Sequence, residues 1–356
     1  MVRALVTGAT GFVGAHVARA LVERGHTVRA LHRATSRLDA LAGLPFESAT
    51  GDILDLDSLR AAADGCDWVF HVAAVADYWR ADHARMIEAN VEGTRRVLQA
   101  AREAGVRRVV FTSSAAAVGG FGDGSVAGES TLADESAPFD LPPDRFRYGY
   151  SKWQAEEIAR AAAADGQEVV IVNPVVVLGP GDLNVLSGDF VLKIHRLSWT
   201  IPVTPGGVAV VDVRDVARWQ IAAAEQGISG ERYILGTANM FYPAWYALIA
   251  DVVGVPRPGL TLPAWSLPIL ADIIDRLKTL GINLPIDGDQ ARLGGKRIYY
   301  NFDKAWDAFG EPQIDMRQSV ADTFAWYQAH GYVKADALSR LIWRLGGRSA
   351  WQQSRK

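Results

Sequence analysis

The 356-residue sequence has a single cysteine, Cys66, so no intramolecular disulfide is open to it. Cys66 stands in DGCDWVF, just ahead of an apolar run and with no histidine near it in sequence, which reads as a buried structural thiol and not a nucleophile. The seven histidines are scattered. Neither HExxH nor any paired-ligand spacing occurs, and no metal site is expected. The N-terminal MVRALVTGATG lacks the charged start and long apolar core of a signal peptide, which predicts a cytoplasmic protein. Positive charge is not in excess either: 37 Lys and Arg against 40 Asp and Glu leave a net charge of −3. That excludes the basic field on which sequence-independent nucleic-acid binding relies. Internal repeats and low-complexity tracts are absent. What is present is an ordinary globular composition, 49% hydrophobic and 22% charged, in a chain long enough for roughly two domains.

Through the first half, apolar runs of strand length alternate with amphipathic stretches of helix length, the pattern of a parallel sheet covered by helices on both faces. Strands are predicted at residues 3–7, 27–32, 46–50, 68–73, 108–113 and 168–173. Between the first two, Val13, Val17 and Leu21 recur at helical spacing and Gly25 follows as a C-terminal cap. A helix over 86–103 turns Val91, Leu98 and Ala101 inward and ends at Gly105. Beyond about residue 174 the alternation gives way to loops rich in Gly and Pro. One return to the sheet is expected, from VVDVRDVARWQIAAAEQG, a strand end leading into a helix, and from ERYILG.

The first motif is Thr7-Gly8-Ala9-Thr10-Gly11-Phe12-Val13-Gly14, between a predicted strand and a predicted helix. Glycine permits the tight turn and the close approach of backbone to a pyrophosphate, whose charge the N–H groups at the helix start favour. The merely tight turn is the bland alternative, but the strand-to-helix context points to a dinucleotide site contributed by Gly8, Thr10, Gly11, Phe12 and Val13. At the end of the second strand stand Leu31-His32-Arg33, then Ser36 and Arg37. No carboxylate is there to receive the ribose 2′-hydroxyl of NAD, and a guanidinium can fork onto a 2′-phosphate, so NADP(H) is preferred over NAD(H). The alternative is that Arg33 and Arg37 are solvated surface cations. Asp52, with Ile53 after it, is placed to accept from an adenine amino group or to start a helix. His71-Val72-Ala73-Ala74 ends the fourth strand in small residues that let backbone run beside a cofactor. These features specify an α/β fold, a Rossmann-type doubly wound parallel sheet over 1–174 completed by parts of 205–236. A smaller substrate-capping region follows, mainly 175–332, and then a basic tail, 333–356.

The chemistry is carried by Tyr148-Gly149-Tyr150-Ser151-Lys152. Positions i and i+4 share a helix face, so the Tyr148 phenol and the Lys152 ammonium project together. A nearby cation is expected to lower the tyrosine pKa toward the working pH, as proton transfer requires. Tyr150 has the wrong spacing. Ser114, ending the fifth strand in Phe111-Thr112-Ser113-Ser114, supplies a hydroxyl.

Together TGATGFVG, GDILD, HVAA, NVEGT, FTSSA, YGYSK and NPVVVLGPGD resemble the extended short-chain dehydrogenase/reductase superfamily, over residues 1 to about 330. Within it the chain is most similar to the dihydroflavonol-reductase-like group and the hopanoid-associated sugar epimerases. The resemblance implies Tyr148 as acid/base, Lys152 as its activator and ribose ligand, and Ser114 as hydrogen-bond donor to the substrate oxygen, with Ser113 as its confusable neighbour. It also implies that Asn90 organises the site and that backbone from Pro174 to Val177 meets the nicotinamide carboxamide. The substrate is then a small carbonyl or alcohol compound. An NADP(H)-dependent ketone or aldehyde reductase leads, ahead of a nucleotide-sugar epimerase or dehydratase that retains its cofactor and of a non-catalytic dinucleotide sensor.

Pocket contributors by position are Tyr78, Trp79, Phe121, Phe146 and residues 182–190 and 240–242. In the segment 260–280, Trp265, Leu270, Ile273, Ile274 and Leu277 make one apolar face, expected to pack on the cap, opposite Asp272, Asp275, Arg276 and Lys278. Lys193, His195, Arg196 and Arg214 are the cap cations that could serve a diphosphate. The tail carries six basic residues (Lys334, Arg340, Arg344, Arg348, Arg355, Lys356) against Asp336. A solvated terminal helix is preferred there over contact with an anionic membrane. A homodimer is compatible with everything above.

Overall fold

A computed structural model describes residues 1–76, 82–119, 132–280 and 288–333. In chain order the first half runs β1 (Arg3–Thr7), α1 (Phe12–Glu23), β2 (Thr27–His32), β3 (Glu47–Thr50), α2 (Leu56–Ala63), β4 (Trp68–His71), α3 (His83–Ile87), α4 (Gly93–Glu103), β5 (Arg108–Thr112), α5 (Arg147–Ala164) and β6 (Val169–Pro174). The second half runs β7 (Val176–Leu178), α6 (Asp189–Leu197), β8 (Gly207–Asp212), α7 (Val213–Gln226), β9 (Arg232–Leu235), β10 (Ala238–Phe241), α8 (Tyr242–Val253), α9 (Ser266–Thr279), α10 (Gly288–Leu293), α11 (Asp303–Phe309) and α12 (Met316–Ala329).

The main sheet is seven-stranded and parallel, in the order β3-β2-β1-β4-β5-β6-β9. Because side chains alternate along a strand, Ala4, Val6, Phe70, Val110 and Val172 enter one core, which α1, α7 and α11 cover with Val17, Leu21, Trp219 and Phe309. Leu5, Val69, Val109, Phe111 and Ile171 enter the other, under Leu59 of α2, Val97 and Leu98 of α4, and Ala155 and Ala159 of α5. The strand order reverses between β1 and β4, and such a switch point opens a crevice at the strands' carboxyl ends.

Three departures from the expected elements go beyond a single residue. β4 stops at His71 because the Ala73 N–H turns to the Thr7 hydroxyl, at 3.2 Å, and leaves the ladder. The helix expected over 86–103 begins earlier, at His83, and carries a π turn at Glu88–Glu92 around Asn90. Of the two segments expected to return to the sheet, β9 does, beside β6, whereas β8 joins a separate three-stranded sheet, β10-β8-β7. That small sheet, with α6, α8 and α12, builds the cap core around Leu178, Ile194, Trp245, Ile249 and Val320. Among the described residues no helix is long and apolar enough to cross a membrane.

Candidate active site

A cleft of about 2500 Å³ runs from the carboxyl ends of β1, β2 and β4 to the cap. At its floor Gly8 adopts φ +72°, and a Cβ there would lie 2.7 Å from the Ala73 nitrogen, while one on Gly14 would strike the Gly8 carbonyl oxygen. The motif therefore needs glycine at both positions, for a left-handed turn and for packing of helix on strand. Gly11 caps α1 with no side-chain hydrogen bond, so the first N–H groups of the helix are left open beside the cleft. Among the described residues this cradle fits a pyrophosphate.

Behind the turn lies a buried polar chain that the sequence reading did not single out. The Ala73 N–H donates to the Thr7 hydroxyl, which is 2.9 Å from His71 Nδ1. His71 Nε2 is 3.0 Å from the Thr94 hydroxyl, which in turn donates to the Asn90 carbonyl oxygen at 2.6 Å. One direction satisfies every group: Thr7 donates to Nδ1, and Nε2–H donates to Thr94. His71 is thus neutral, and burial, aided by Lys152, pushes its pKa down to about 3. Asn90 itself is fully buried; its amide accepts from the Val75 N–H at 2.8 Å and donates to Ser151 at 2.9 Å. It positions backbone beside the cleft and is not part of the cleft wall.

Thr10, Phe12, Val13, Arg33, Asp52, Ile53, Ala73, Ala74, Pro174 and Val177 all line the cleft. Arg33 is exposed there and, among the described residues, makes no ion pair. Arg37 does not join it. Its guanidinium pairs with Asp39 at 2.7 Å and lies outside the cleft wall, because the turn after β2 points it back along its own loop. The Asp52 carboxylate accepts from the Leu54 N–H at 2.9 Å, so part of its capacity is spent on its own turn.

Tyr148 and Lys152 project from the first turns of α5 into the cleft, both buried. The Tyr148 phenol is hydrogen-bonded to Ser114, and the Ser114 hydroxyl also accepts from the Ala116 N–H at 3.2 Å. Ser113 turns the other way, donating to Glu156 at 2.6 Å. Tyr150 stacks on Trp153 and tilts against Phe139, away from the cleft. The Lys152 ammonium donates to the Thr112 carbonyl oxygen at 2.8 Å and sits 4.9 Å over the Phe111 ring. The expected lowering of the tyrosine pKa is not what the structure produces. Burial pushes the phenol up to about 12, against the lowering effect of Ser114. Burial also brings Lys152 down to about 7, with Glu156 opposing. Desolvation thus outweighs the lowering effect of Ser114 on the phenol and the raising effect of Glu156 on the ammonium.

Glu156, one turn beyond Lys152 and fully buried, also escaped the sequence reading. It accepts from Arg160 at 2.9 Å, Arg232 at 3.1 Å, Ser113 and Asn173. Arg232 further donates to the Glu135 and Ala137 carbonyl oxygens, fastening the segment that leads to Tyr148. The signal was an acidic residue at i+4 from Lys152 on the same helix face.

The cap half of the cleft is apolar. Phe190 and Ile194 of α6, Tyr242 and Tyr246 of α8, and Leu270 and Ile274 of α9 face it, and Phe146 joins them from the Rossmann side. The apolar face expected on 260–280 is split. Leu267, Leu270 and Ile274 turn to the cleft or the core, whereas Trp265 and Ile273 are exposed. Of the four cap cations, only Lys193 lines the cleft, 2.6 Å from Asp189. Arg214 is held by Asp212 and Asp322, Arg196 donates to the Tyr332 carbonyl oxygen, and His195 packs on Phe324. Of residues 240–242, Tyr242 alone reaches the cleft, and Met240 packs in the cap core. Tyr78, Trp79, Phe121 and the tail from Lys334 onward lie outside the described residues.

Residues 4–236 match the model of the NAD dependent epimerase/dehydratase family. The chain is 39% identical over 338 residues to a Synechocystis sp. protein provisionally named a dihydroflavonol 4-reductase, covering 92% of this chain and 95% of that one. It is 34% identical to sterol demethylase protein B of Methylococcus capsulatus, covering 92% and 99%. Among solved structures, that of gox2253 superposes with a TM-score of 0.81 at 35% identity, covering 94% of this chain and all of that one.

Proposed function

From its membership of the NAD dependent epimerase/dehydratase family, which makes this chain an NAD(P)-dependent oxidoreductase of the extended short-chain dehydrogenase/reductase type, we propose that it reduces the ketone or aldehyde of a bulky apolar compound, using NADP(H). The dinucleotide, when bound, supplies the hydride. Gly8, Gly11 and the open start of α1 hold its pyrophosphate, Arg33 meets the 2′-phosphate, and Pro174 to Val177 border the nicotinamide end. Ser114 orients the substrate oxygen, Tyr148 delivers the proton to it, and Lys152 holds the ribose and assists the phenol.

The observation that carries the apolar substrate is the cap wall, where aliphatic and aromatic side chains replace the cations a diphosphate would need and Asp189 neutralises Lys193. One observation favours the nucleotide-sugar epimerase instead: Arg145 and Arg147 are exposed on the opposite wall. A screen separates the two. NADPH oxidation is measured with aromatic and alicyclic ketones and aldehydes, beside epimerisation of common nucleotide sugars. Turnover of the carbonyl compounds is expected. Turnover of a nucleotide sugar alone overturns the proposal.

A further inference from the structure

The cap wall of the cleft carries two phenols that the proposed reduction does not use. Tyr242 opens α8 and Tyr246 follows one turn later, so the two share a helix face, and both line the cleft. Trp245 and Ile249 of the same helix are buried in the cap core. Two sets of contacts fix the pair in place. The Tyr242 N–H donates to the Gly206 carbonyl oxygen at 2.9 Å, just ahead of β8. The rings pack in a row, Tyr242 on Tyr246 with centroids 5.7 Å apart and Tyr246 on Phe190 of α6 at 6.2 Å.

A tyrosine hydroxyl inside a protein ordinarily finds a partner. Tyr300 donates to the Ala115 carbonyl oxygen, Tyr327 to Asp182 and Tyr332 to the Leu183 carbonyl oxygen, while Tyr148 meets Ser114. Among the described residues, the hydroxyls of Tyr242 and Tyr246 make no hydrogen bond, and neither is sealed in by protein, so both O–H groups meet cleft space. Burial, reinforced by Tyr299, pushes Tyr242 up to about 12, and burial with Tyr242 pushes Tyr246 up as well. Both are therefore neutral donors at neutral pH, and the groups that act on them are phenols, not cations. Water serves such hydroxyls in an open cleft. A bulky apolar ligand displaces it, and each O–H is then either bonded to the ligand or left as a buried, unmade donor. Phenylalanine would build the same wall without that demand.

We propose that Tyr242 and Tyr246 form a polar subsite in the cap wall that selects a substrate bearing a neutral oxygen acceptor (a hydroxyl, ketone or ether) apart from its reacting carbonyl. The proposal rests on the reading of the cleft as the site of an apolar carbonyl compound. Two pairs of ketones of different reach test it: 4-phenylcyclohexanone and 4-(biphenyl-4-yl)cyclohexanone, each beside its analogue with a hydroxyl on the terminal ring. Binding is measured by calorimetry on the full chain with NADP+ present, so that no reduction takes place, and turnover with NADPH is measured separately. In at least one pair, wild type is expected to bind the hydroxylated ketone roughly tenfold more tightly than its partner. The combined variant Tyr242→Phe, Tyr246→Phe is expected to bind the two members of that pair within about twofold of each other, with its thermal midpoint unchanged. Equal binding within both pairs by wild type overturns the proposal, as does failure to bind any of the four ketones or a preference that survives in the variant. A binding preference that the variant loses, with no turnover of any ketone by wild type, supports the subsite and overturns the carbonyl-reductase reading instead.

Discussion

The Lys152 ammonium donates a 2.8 Å hydrogen bond to the Thr112 carbonyl oxygen, which anchors it to the end of β5 one helical turn from the Tyr148 phenol. If these two groups carry the chemistry, Tyr148→Phe retains dinucleotide binding and loses about 10²- to 10⁴-fold in turnover, since only the proton donor is deleted. Lys152→Ala loses turnover and cofactor affinity together. Fluorescence titration with NADPH beside steady-state kinetics checks both.

Burial brings Lys152 down to about 7, so the ammonium is complete below that pH and lost above it. A ligand that hydrogen-bonds to the charged form raises this pKa, and binding then takes up a proton at about pH 8. Calorimetry in buffers of different ionisation enthalpy is expected to show that uptake with wild type. Lys152→Met is expected to show none.

Arg33 lines the cleft without an ion pair among the described residues, whereas Arg37 pairs with Asp39. Arg33→Ala is expected to weaken NADPH relative to NADH by roughly tenfold to a hundredfold, the value of one charge-assisted contact. Arg37→Ala is expected to leave the preference unchanged. Equal losses of both cofactors in Arg33→Ala would detach it from the 2′-phosphate.

Glu156 is fully buried against Arg232, itself only 7% exposed. Removing the carboxylate leaves that guanidinium buried with carbonyl partners alone, so Glu156→Gln is expected to cost about 3 to 5 kcal/mol in urea unfolding. Arg160→Ala, deleting the more exposed partner of the same carboxylate, is expected to cost about 1 kcal/mol or less.

His71 is held neutral, with its pKa pushed from the ordinary 6.5 to about 3. The unfolded chain binds a proton below about pH 6.5 that the folded one refuses until about pH 3, so this group removes stability as pH falls through that window. The loss is on the order of a few kcal/mol. Urea midpoints measured from pH 7 to pH 4 are expected to fall less steeply in His71→Asn than in wild type.

What the sequence determined by itself is whatever lies within one element or one turn. Strand alternation assigned β1, β2, β4, β5 and β6 to a parallel sheet, the glycine spacing placed the turn into α1, and the i, i+4 relation put Tyr148 and Lys152 on one face. These depend on backbone geometry that neighbouring residues already dictate. The tertiary structure decided what depends on which groups meet after the chain closes. Glu156 and Arg232 are 76 positions apart, and no local pattern announces their pairing. Whether Ser113 or Ser114 meets Tyr148 follows from how the chain turns at the end of β5. The two faces of α9 differ because a cleft lies beneath one and nothing described lies over the other. Likewise the Tyr148 phenol is raised, not lowered, because burial is a property of the packed site and desolvation acts on the tyrosine and the lysine together.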